Sequence, residues 1–393
     1  MASLEFKGKQ VVRNYHLTLK YHQFVADREK SLTHEVSLDD NLIIHGDNLL
    51  ALKALLPTYG GKVKCIYIDP PYNTGNEGWK YNDNVNSPMM QEWLGKVVGV
   101  DDPTRHDKWL CMMTPRLKLL REFLTEDGVI FVSVDDNEFH HLRCLMNDVF
   151  DPGNFVATVI WHKMDSPKNT AALFSEDHDY IMLYARNLET WIPNLLKRSE
   201  TMTARYKNPD DDPRGPWLLS DLAARNYYSQ GRYSITTPSG RIINGPPAGS
   251  YWRISKAKFE ELEKDNRIWW GKSGNLRPGI KRFLSEVRKG VVPQTLWPWK
   301  DVGSTRNAKQ ELSVIMASGT SEDLFVTPKP TKLIKRILRI ASDENSLILD
   351  SFAGSGTTAH AVLDLNKEDG GSRKFILVEC EDYADSITAE RVR

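Results

Sequence analysis

Two stretches of the chain alternate short apolar runs with helical patterns. The first predicts strands at residues 41–45, 63–68 and 128–134, with helices at 48–56 and 109–124; the second predicts a helix at 331–340, strands at 346–349 and 374–378, and a helix opening near Gly356. Short apolar strands separated by helices are typical of a parallel sheet that is covered on both faces. We therefore predict an α/β fold with a doubly wound, mostly parallel sheet.

The residues between these two stretches have a different composition. Residues 191–310 carry 22 basic and 11 acidic side chains, a net charge of +11, whereas the whole chain has 52 of each. They also hold seven of the 11 tryptophans. Because this block interrupts one doubly wound pattern, we predict that it is an insertion. It is either a nucleic-acid-binding region, since phosphates and bases favour cations and rings, or a small domain whose tryptophans fill its own core.

Composition also bears on membrane contact, location and metal binding. The hydrophobic fraction is 40%, and no apolar run approaches the length of about 18 residues that a membrane span needs. The charged N-terminus does not resemble a signal peptide, so a cytoplasmic protein without membrane contact is expected. The four cysteines form no Cys-x-x-Cys pair, which disfavours a zinc site or a disulfide framework, and no metal is expected.

A glycine-rich segment lies between a predicted strand and the helix that follows it. It reads Asp350-Ser351-Phe352-Ala353-Gly354-Ser355-Gly356-Thr357-Thr358. Paired glycines let the backbone turn tightly and approach a ligand, and a helix N-terminus offers free N–H groups. The next strand ends in Glu379, a position suited to accepting ribose hydroxyls. Together these features predict a nucleoside cofactor; the alternative is a glycine turn beside an exposed acid.

A second strand end carries Asp69-Pro70-Pro71-Tyr72. Proline has no N–H and fixes φ, so a carboxylate and an exposed carbonyl can together accept both protons of an amino group. Tyr72 offers a ring on which an extruded base can stack. Asp-Pro-Pro is also a common turn, but beside the glycine-rich segment we interpret it as catalytic. The polar, aromatic stretch at 75–86 that follows is either a lid or a plain surface loop.

A third strand end turns through Asp47 and Asn48 into a helix. Asp and Asn are preferred residues at helix N-caps. A capping role and a ligand-binding role are therefore both open for this turn.

These motifs, in this order, resemble the amino-methyltransferases of DNA, and most closely the modification subunits of type III restriction-modification systems. Asp69-Pro70-Pro71-Tyr72-Asn73-Thr74-Gly75 matches the family's catalytic motif, and the segment from Asp350 to Thr358 matches its cofactor motif. A catalytic motif that precedes the cofactor motif resembles the permuted β class, in which a target-recognition region lies between the two. The basic block occupies that place.

The resemblance implies a site-specific DNA methyltransferase that uses S-adenosylmethionine and acts on the amino group of a flipped adenine, within a Rossmann-like methyltransferase fold. It assigns the base to Asp69, Pro70, Pro71 and Tyr72. The residues that it assigns to the cofactor are Asp350, Phe352, Gly354, Gly356, Thr357 and Glu379, with Asp47 and Asn48 as weaker candidates and Thr327 and Lys329 lining the cleft. The expected domains are an N-terminal extension (1–40), a first catalytic part (41–190), an inserted target-recognition domain (191–319) and a second catalytic part (320–393).

Other activities stay open at this point. They are N4-methylation of cytosine, methylation of RNA or of a protein amide, and a catalytically silent DNA-binding subunit. The expected partner is double-stranded DNA. The family also implies a homodimer and a restriction subunit, but its modification subunits are usually longer than this chain, which stops inside a predicted helix at Arg393.

Overall fold

The computed structural model describes residues 4–33, 35–74, 102–316, 325 and 327–393. The stretch at 75–86 and the expected domain boundary at 319/320 lie outside the described residues. The chain forms two compact units, residues 1–194 with 293–393, and residues 195–292. Each unit is described separately below.

The strands and helices of both units are numbered in chain order. The strands are β1 (Leu42–His45), β2 (Val63–Ile68), β3 (Leu124–Val134), β4 (Phe155–His162), β5 (His178–Ala185), β6 (Trp217–Asp221), β7 (Ala223–Ala224), β8 (Ile235–Thr236), β9 (Ile242–Ile243), β10 (Tyr251–Trp252), β11 (Ile268–Trp269), β12 (Gly279–Phe283), β13 (Leu296–Trp297), β14 (Leu347–Asp350) and β15 (Lys374–Glu379). The α-helices are α1 (Lys9–Val12), α2 (Tyr15–Thr18), α3 (Asn48–Tyr59), α4 (Arg105–Phe123), α5 (Phe139–Phe150), α6 (Glu200–Thr203), α7 (Lys256–Lys264), α8 (Trp299–Val302), α9 (Thr305–Ile315), α10 (Thr331–Ala341), α11 (Thr357–Asp369) and α12 (Glu390–Val392).

The first unit is built on an eight-stranded sheet of order β1-β15-β14-β2-β3-β5-β4-β13. Neighbours pair in parallel except around β5, which runs antiparallel to both β3 and β4. The predicted α/β fold with a mostly parallel sheet is confirmed. The antiparallel strand β5 was not predicted. Because of its direction, the first residues of β5 lie at the same edge as the last residues of the parallel strands.

Both faces of this sheet are buried, which explains why its strands are continuous apolar runs. In β2, Ile66 and Ile68 belong to the main hydrophobic core, while Cys65 and Tyr67, which point the other way, are also buried. Helices α3 and α5 both pack against α4, and α10 packs against α11. α10 is amphipathic and buries Leu333, Ile334, Ile337 and Leu338, as helical spacing of its apolar residues predicts.

The expected N-terminal extension packs on the first unit. Val12 and Tyr15, in α1 and α2, are buried members of the main core. Lys53 of α3 donates a hydrogen bond to the carbonyl oxygen of His16 at 3.0 Å. Among the described residues, no helix combines the length and the apolar character needed to cross a membrane.

The second unit, residues 195–292, contains a three-stranded antiparallel sheet of order β11-β12-β6 and the short pairs β7/β10 and β8/β9. Its own core contains Leu222, Ile235, Trp252, Phe259, Ile268 and Trp270. The chain enters and leaves it through an antiparallel bridge: Leu196 and Val291 exchange two backbone hydrogen bonds, of 2.9 and 2.8 Å.

The observed unit is shorter than the expected insertion at 191–319. Residues 296–297 form β13, which pairs with β4 in the main sheet, so the chain has returned to the first unit before residue 300. Of the tryptophans of the basic block, Trp252 and Trp270 belong to the second unit's own core, whereas Trp191 and Trp297 lie in the first unit, so both interpretations of the block stay open. Five of the seven are buried, namely Trp191, Trp217, Trp252, Trp270 and Trp297. The positive charge persists, because residues 195–292 hold 19 basic and 10 acidic side chains, a net of +9.

Candidate active site at the carboxyl edge of the main sheet

The turns that follow β1, β14 and β15 are connected at the carboxyl edge of the sheet. His45 is level with Glu379 in the parallel pair β1/β15. The amide of Gly46 donates to the carbonyl of Glu379 at 2.8 Å, and the side-chain amide of Asn48 donates to the carbonyl of Ser351 at 2.8 Å. The ends of parallel strands are the usual place for ligands in such sheets. The edge therefore brings the predicted cofactor residues together.

The tetrapeptide begins directly after β2, at the same edge. Asp69 Oδ2 accepts a hydrogen bond from the ammonium of Lys329. Asp69 Oδ1 is buried and has no hydrogen-bond partner within the part of the chain that the structure describes. A buried carboxylate oxygen without a donor is unfavourable. This oxygen is therefore ready to accept a proton donor from a ligand.

The two prolines that follow hold the chain in place. Pro70 is buried, and the carbonyl of Pro71 accepts a hydrogen bond of 2.6 Å from the indole Nε1 of Trp109 in α4. Trp109 itself is fully buried. Because neither proline has an N–H to donate, the segment is fixed by its carbonyl and by packing.

The hydroxyl of Tyr72 contacts an acid at the start of β5. Its hydroxyl donates to Asp179 Oδ2 at 3.4 Å, and Asp179 Oδ1 accepts from Lys163 Nζ at 2.5 Å. Burial, and after it the charge of Asp179, holds the pKa of Tyr72 well above its usual value. The phenol therefore stays protonated, and its ring serves as an apolar face.

Asn73 turns the chain away from the tetrapeptide. It adopts a left-handed conformation with φ of 59° and donates through its side-chain amide to Glu138 Oε1. Glu138 is fully buried and also accepts from His106 Nδ1 at 2.6 Å and from His141 Nδ1 at 2.9 Å. The ligand atoms of His106, Glu138 and His141 lie within 4.8 Å of one another, close enough for a metal ion. Their hydrogen bonds to one another account for the arrangement without one.

The glycine-rich segment joins β14 to α11 through two left-handed glycines. Gly354 has φ of 51° and Gly356 has φ of 77°, a region that side chains with a Cβ rarely adopt. Asp350 fixes the segment from inside: Oδ1 accepts from the amide of Phe352 at 3.0 Å, and Oδ2 accepts from Thr358 Oγ1 at 2.6 Å. The segment is thus held by its own acid in a turn that favours glycine.

Glu379 supports the same turn from the next strand. Oε2 accepts from the amide of Gly354 at 2.7 Å, and Oε1 accepts from the amides of Cys380 and Glu381 at 2.9 and 3.1 Å. Burial raises the pKa of Glu379 above its usual value, against the opposing effect of these three bonds. Glu379 thus fixes the backbone of the turn at the edge where a ligand would bind.

Asp350 makes the stability of the site depend on pH. Burial raises its pKa to about 7, and the charges of Asp69 and Glu379 add to the effect. Since the native pKa lies above the usual carboxyl value, the native state binds the proton more tightly. The contribution of Asp350 to stability is therefore complete below about pH 4, falls as the pH rises, and is lost once the pH passes about 7.

We expect Asp350→Asn to remove this dependence. The free energy of unfolding of the parent protein should fall by up to about 4 kcal/mol between pH 4 and pH 8 relative to the variant. Denaturant titrations at four pH values measure the difference. Parallel curves for parent and variant would show that Asp350 does not titrate in this range.

The remaining residues predicted to bind the cofactor differ in their contacts and in their exposure. Asp47 caps α3, since Oδ1 accepts from the amides of Leu49 and Leu50, whereas Asn48 contacts the glycine-rich segment as described. Phe352 packs against the main core. Thr327 is exposed. The capping interpretation therefore accounts for Asp47, and cofactor contact by all of these residues stays a prediction.

Lys329 connects the two motifs. Its ammonium pairs with Asp69, and its carbonyl accepts from Thr357 Oγ1 at 3.1 Å. The ammonium lies 5.0 Å from the centre of the Tyr72 ring and 6.0 Å from that of Trp161. We predicted Lys329 as a cofactor residue, but its charged group lies in the tetrapeptide's pocket instead.

Sequence reasoning missed several residues around the glycine-rich segment. Arg391 is buried and donates to Ser355 Oγ at 3.0 Å and to Thr357 Oγ1 at 2.9 Å. Phe325 and Tyr383 form an edge-to-face pair with ring centres 5.2 Å apart. Phe325 also approaches Gly354 closely, since a Cβ added there would lie 3.2 Å from its ring. Only the fold brings these residues to the segment, so no sequence signal was available.

The chain is similar to several known proteins. A family described as DNA methylase matches residues 63–390. The Mod subunit of the type III restriction-modification enzyme StyLTI from Salmonella typhimurium is 33% identical over 386 residues, which cover 95% of this chain and 57% of that protein. The EcoPI Mod subunit of Escherichia phage P1 is 32% identical over 96% of this chain and 63% of that protein.

The type II methyltransferase M.KpnI of Klebsiella pneumoniae is 29% identical over 92% of this chain and 85% of its own length. The chain thus spans less than two thirds of each of the two Mod subunits but most of the type II enzyme. The matched range of the family includes the tetrapeptide, the whole second unit and the glycine-rich segment.

Proposed function

The chain belongs to the DNA methylase family, and from that premise we propose that it transfers a methyl group from S-adenosylmethionine to the exocyclic amino group of an adenine in double-stranded DNA. Adenine is preferred over cytosine because Asp-Pro-Pro-Tyr resembles the tetrapeptide usual for adenine enzymes. The names of the Mod relatives also favour a role in a restriction-modification system.

The observation that carries this proposal is the buried oxygen of Asp69 that has no hydrogen-bond partner among the described residues. Asp69 Oδ1 lies at the carboxyl edge of the sheet, with the Tyr72 ring three residues further along the chain. A base that stacks on Tyr72 places its amino group among acceptors, of which this oxygen is one.

The reaction needs an activated amine more than a strong base. The lone pair of an exocyclic amine is delocalised into the ring, and hydrogen bonds from both its protons to Asp69 and to the Pro70 carbonyl draw it out of the plane. The bound cofactor supplies a methyl group on a positively charged sulfur. Transfer of that methyl group to the amine would leave a surplus amine proton, which Asp69 or water would accept. Fixed acceptors stabilise the positive charge that develops on the amine.

The residues at the glycine-rich segment fit a nucleoside cofactor. Gly354 and Gly356 hold a tight turn at the start of α11, and Glu379 ends the next strand beside it, where its carboxylate can accept a ribose hydroxyl. We propose that Asp350, Phe352 and Thr357 complete this site. Lys329 joins it to the base pocket through its carbonyl bond to Thr357.

We propose that the second unit binds the DNA and selects its sequence. Its net charge of +9 favours phosphate contacts, and Tyr227, Tyr251 and Arg232 form a cluster in it with Tyr227 largely exposed. Homodimerisation is a further proposal that rests on the family resemblance, and association with a restriction subunit is one that rests on the names of the Mod relatives. Light scattering of the purified protein tests the first and co-purification with a restriction subunit encoded beside it tests the second.

Methyl transfer to different acceptors tests the proposed function directly. The purified protein is incubated with S-adenosylmethionine carrying a labelled methyl group and with unmethylated genomic DNA, total RNA or protein, and the products are digested and identified by mass spectrometry. We expect N6-methyladenine in duplex DNA. N4-methylcytosine would change the target base, label in RNA or protein alone would change the substrate, and binding without transfer would indicate a silent subunit.

Glu379→Ala is expected to weaken cofactor binding about 10- to 100-fold, the range for hydrogen bonds to a charged group. The change leaves the amide of Gly354 without its acceptor and removes the position for a ribose hydroxyl. Glu379→Gln keeps one carbonyl oxygen and should lose less. Calorimetric titration with S-adenosylmethionine measures both variants. If both bind like the parent, the cofactor site lies elsewhere.

A further inference from the structure

The target-base pocket described above already holds a cation. The Lys329 ammonium pairs with Asp69 Oδ2 and lies over the Tyr72 ring, 5.0 Å from its centre. The pocket proposed for the base thus offers the lysine the same two partners, an acceptor and a π face. The lysine is also buried, with 8% of its surface exposed.

We propose that Lys329 is the occupant of the base pocket before DNA binds: its ammonium pairs with Asp69 Oδ2 and lies over the Tyr72 ring, where the base would stack, and it withdraws when the base enters. This inference rests on the proposed function, and it deepens it by assigning Lys329 a positioning role in base capture.

Only the side chain of Lys329 needs to move. Prolines 328 and 330 flank the residue, and its carbonyl is bound by Thr357 Oγ1, which in turn accepts from Arg391. The backbone is therefore fixed to the glycine-rich segment. The four-carbon stem of a lysine is flexible, so the ammonium can leave Asp69 without a change of fold.

The charge of the lysine explains why it has to leave. Methyl transfer builds positive charge on the amine, and a second cation on the same carboxylate would oppose it at short distance. Before DNA binds, the same cation is useful, because it pairs one of the two oxygens of a partly buried carboxylate. Lys329 thus stabilises the empty pocket and competes with the base for it.

This competition has a measurable consequence for affinity. A duplex that carries the target adenine has to displace the lysine, whereas the same duplex with an abasic target position does not. The ratio of the two dissociation constants, adenine over abasic, therefore contains the cost of breaking the Lys329–Asp69 pair. Phosphate contacts cancel in this ratio, because both duplexes have the same backbone charge.

The test first maps the methylated sequence by single-molecule sequencing of DNA from a host that expresses the protein, and then measures this ratio for duplexes of that sequence.

We expect Lys329→Met to lower the ratio about three- to tenfold, the combined size of a partly exposed ion pair and a cation–π contact. In an Asp69→Asn background the same substitution should change the ratio less than about twofold, since the pair is already weakened. Lys335→Met is the matched control. Lys335 lies six residues after Lys329 in the chain and pairs with Asp364 and Glu368.

Lys329→Gln, which loses the charge but keeps a polar group, is measured beside Lys329→Met, and thermal unfolding verifies that both variants are folded. A ratio that rises in these variants would mean that the lysine contacts the base, and an unchanged ratio would mean that it is a bystander; both results overturn the inference. If the parent protein methylates no DNA, the proposed function fails instead, so the two failures are distinguishable.

Discussion

Asp69→Ala is expected to lower single-turnover methyl transfer by at least about 10²- to 10³-fold, the loss seen when one fixed group that stabilises developing charge is removed. The variant lacks the oxygen that is buried without a partner in the free protein, so the amine keeps its lone pair in the ring. Cofactor affinity should stay within about twofold of the parent, because the acid that supports the glycine-rich segment is Glu379. Rapid-quench assays with saturating DNA and cofactor measure the rate.

The same variant also leaves Lys329 as a buried cation without its carboxylate. Loss of one partner of a buried pair destabilises proteins, so a loss of activity alone would be ambiguous. The double variant Asp69→Ala/Lys329→Met removes both charges. We expect it to recover stability in thermal unfolding but no activity. Recovery of methyl transfer in the double variant, or near-parental rates in Asp69→Ala, would contradict the mechanism.

Excision of residues 197–290 is expected to weaken specific DNA binding by about 10³-fold or more, the usual margin between specific and non-specific affinity. Leu196 and Val291 are partners in an antiparallel bridge, so an Asn-Gly turn can join them without moving either. The core of the second unit is its own, and the residues of the cofactor site lie in the first unit. Cofactor binding should therefore be retained within about twofold.

Fluorescence anisotropy with the mapped duplex and with a scrambled duplex measures specificity, and calorimetry measures cofactor affinity. The parent's affinity for the mapped duplex should also fall steeply with salt, because the net charge of the second unit is positive. Undiminished preference for the mapped duplex after excision would place sequence choice in the first unit.

Much of the first unit follows from local sequence. Each predicted strand of the parallel sheet begins within four residues of its observed start. Strands that are buried on both faces consist of continuous apolar residues, which the sequence shows directly. The direction of β5 does not follow, since its sequence is as apolar as that of a parallel strand. β13 has two residues and pairs with β4 across more than 130 positions, so it carries no local pattern. The resemblance to DNA amino-methyltransferases is confirmed by the family match.

The site was less completely predictable than the sheet. Motif positions identify Asp69, Asp350 and Glu379, because each directly follows or ends an apolar run. The pairing of Lys329 with Asp69 joins residues 260 positions apart, and only the assembled sheet brings them together. Arg391 near the chain end has the appearance of a solvated helix residue, yet it is buried against Ser355 and Thr357. Charge and burial of such groups depend on tertiary neighbours.

The bridge between Leu196 and Val291 also bears on how such enzymes diversify. A genetic exchange whose two crossover points fall at Leu196 and at Val291 replaces nearly the whole second unit at once. Because these two residues are bridge partners, the ends that are joined keep the same separation. The catalytic sheet and both of its motifs are inherited unchanged. If the second unit selects the DNA sequence, as we propose, such an exchange would give a new sequence preference in a single step.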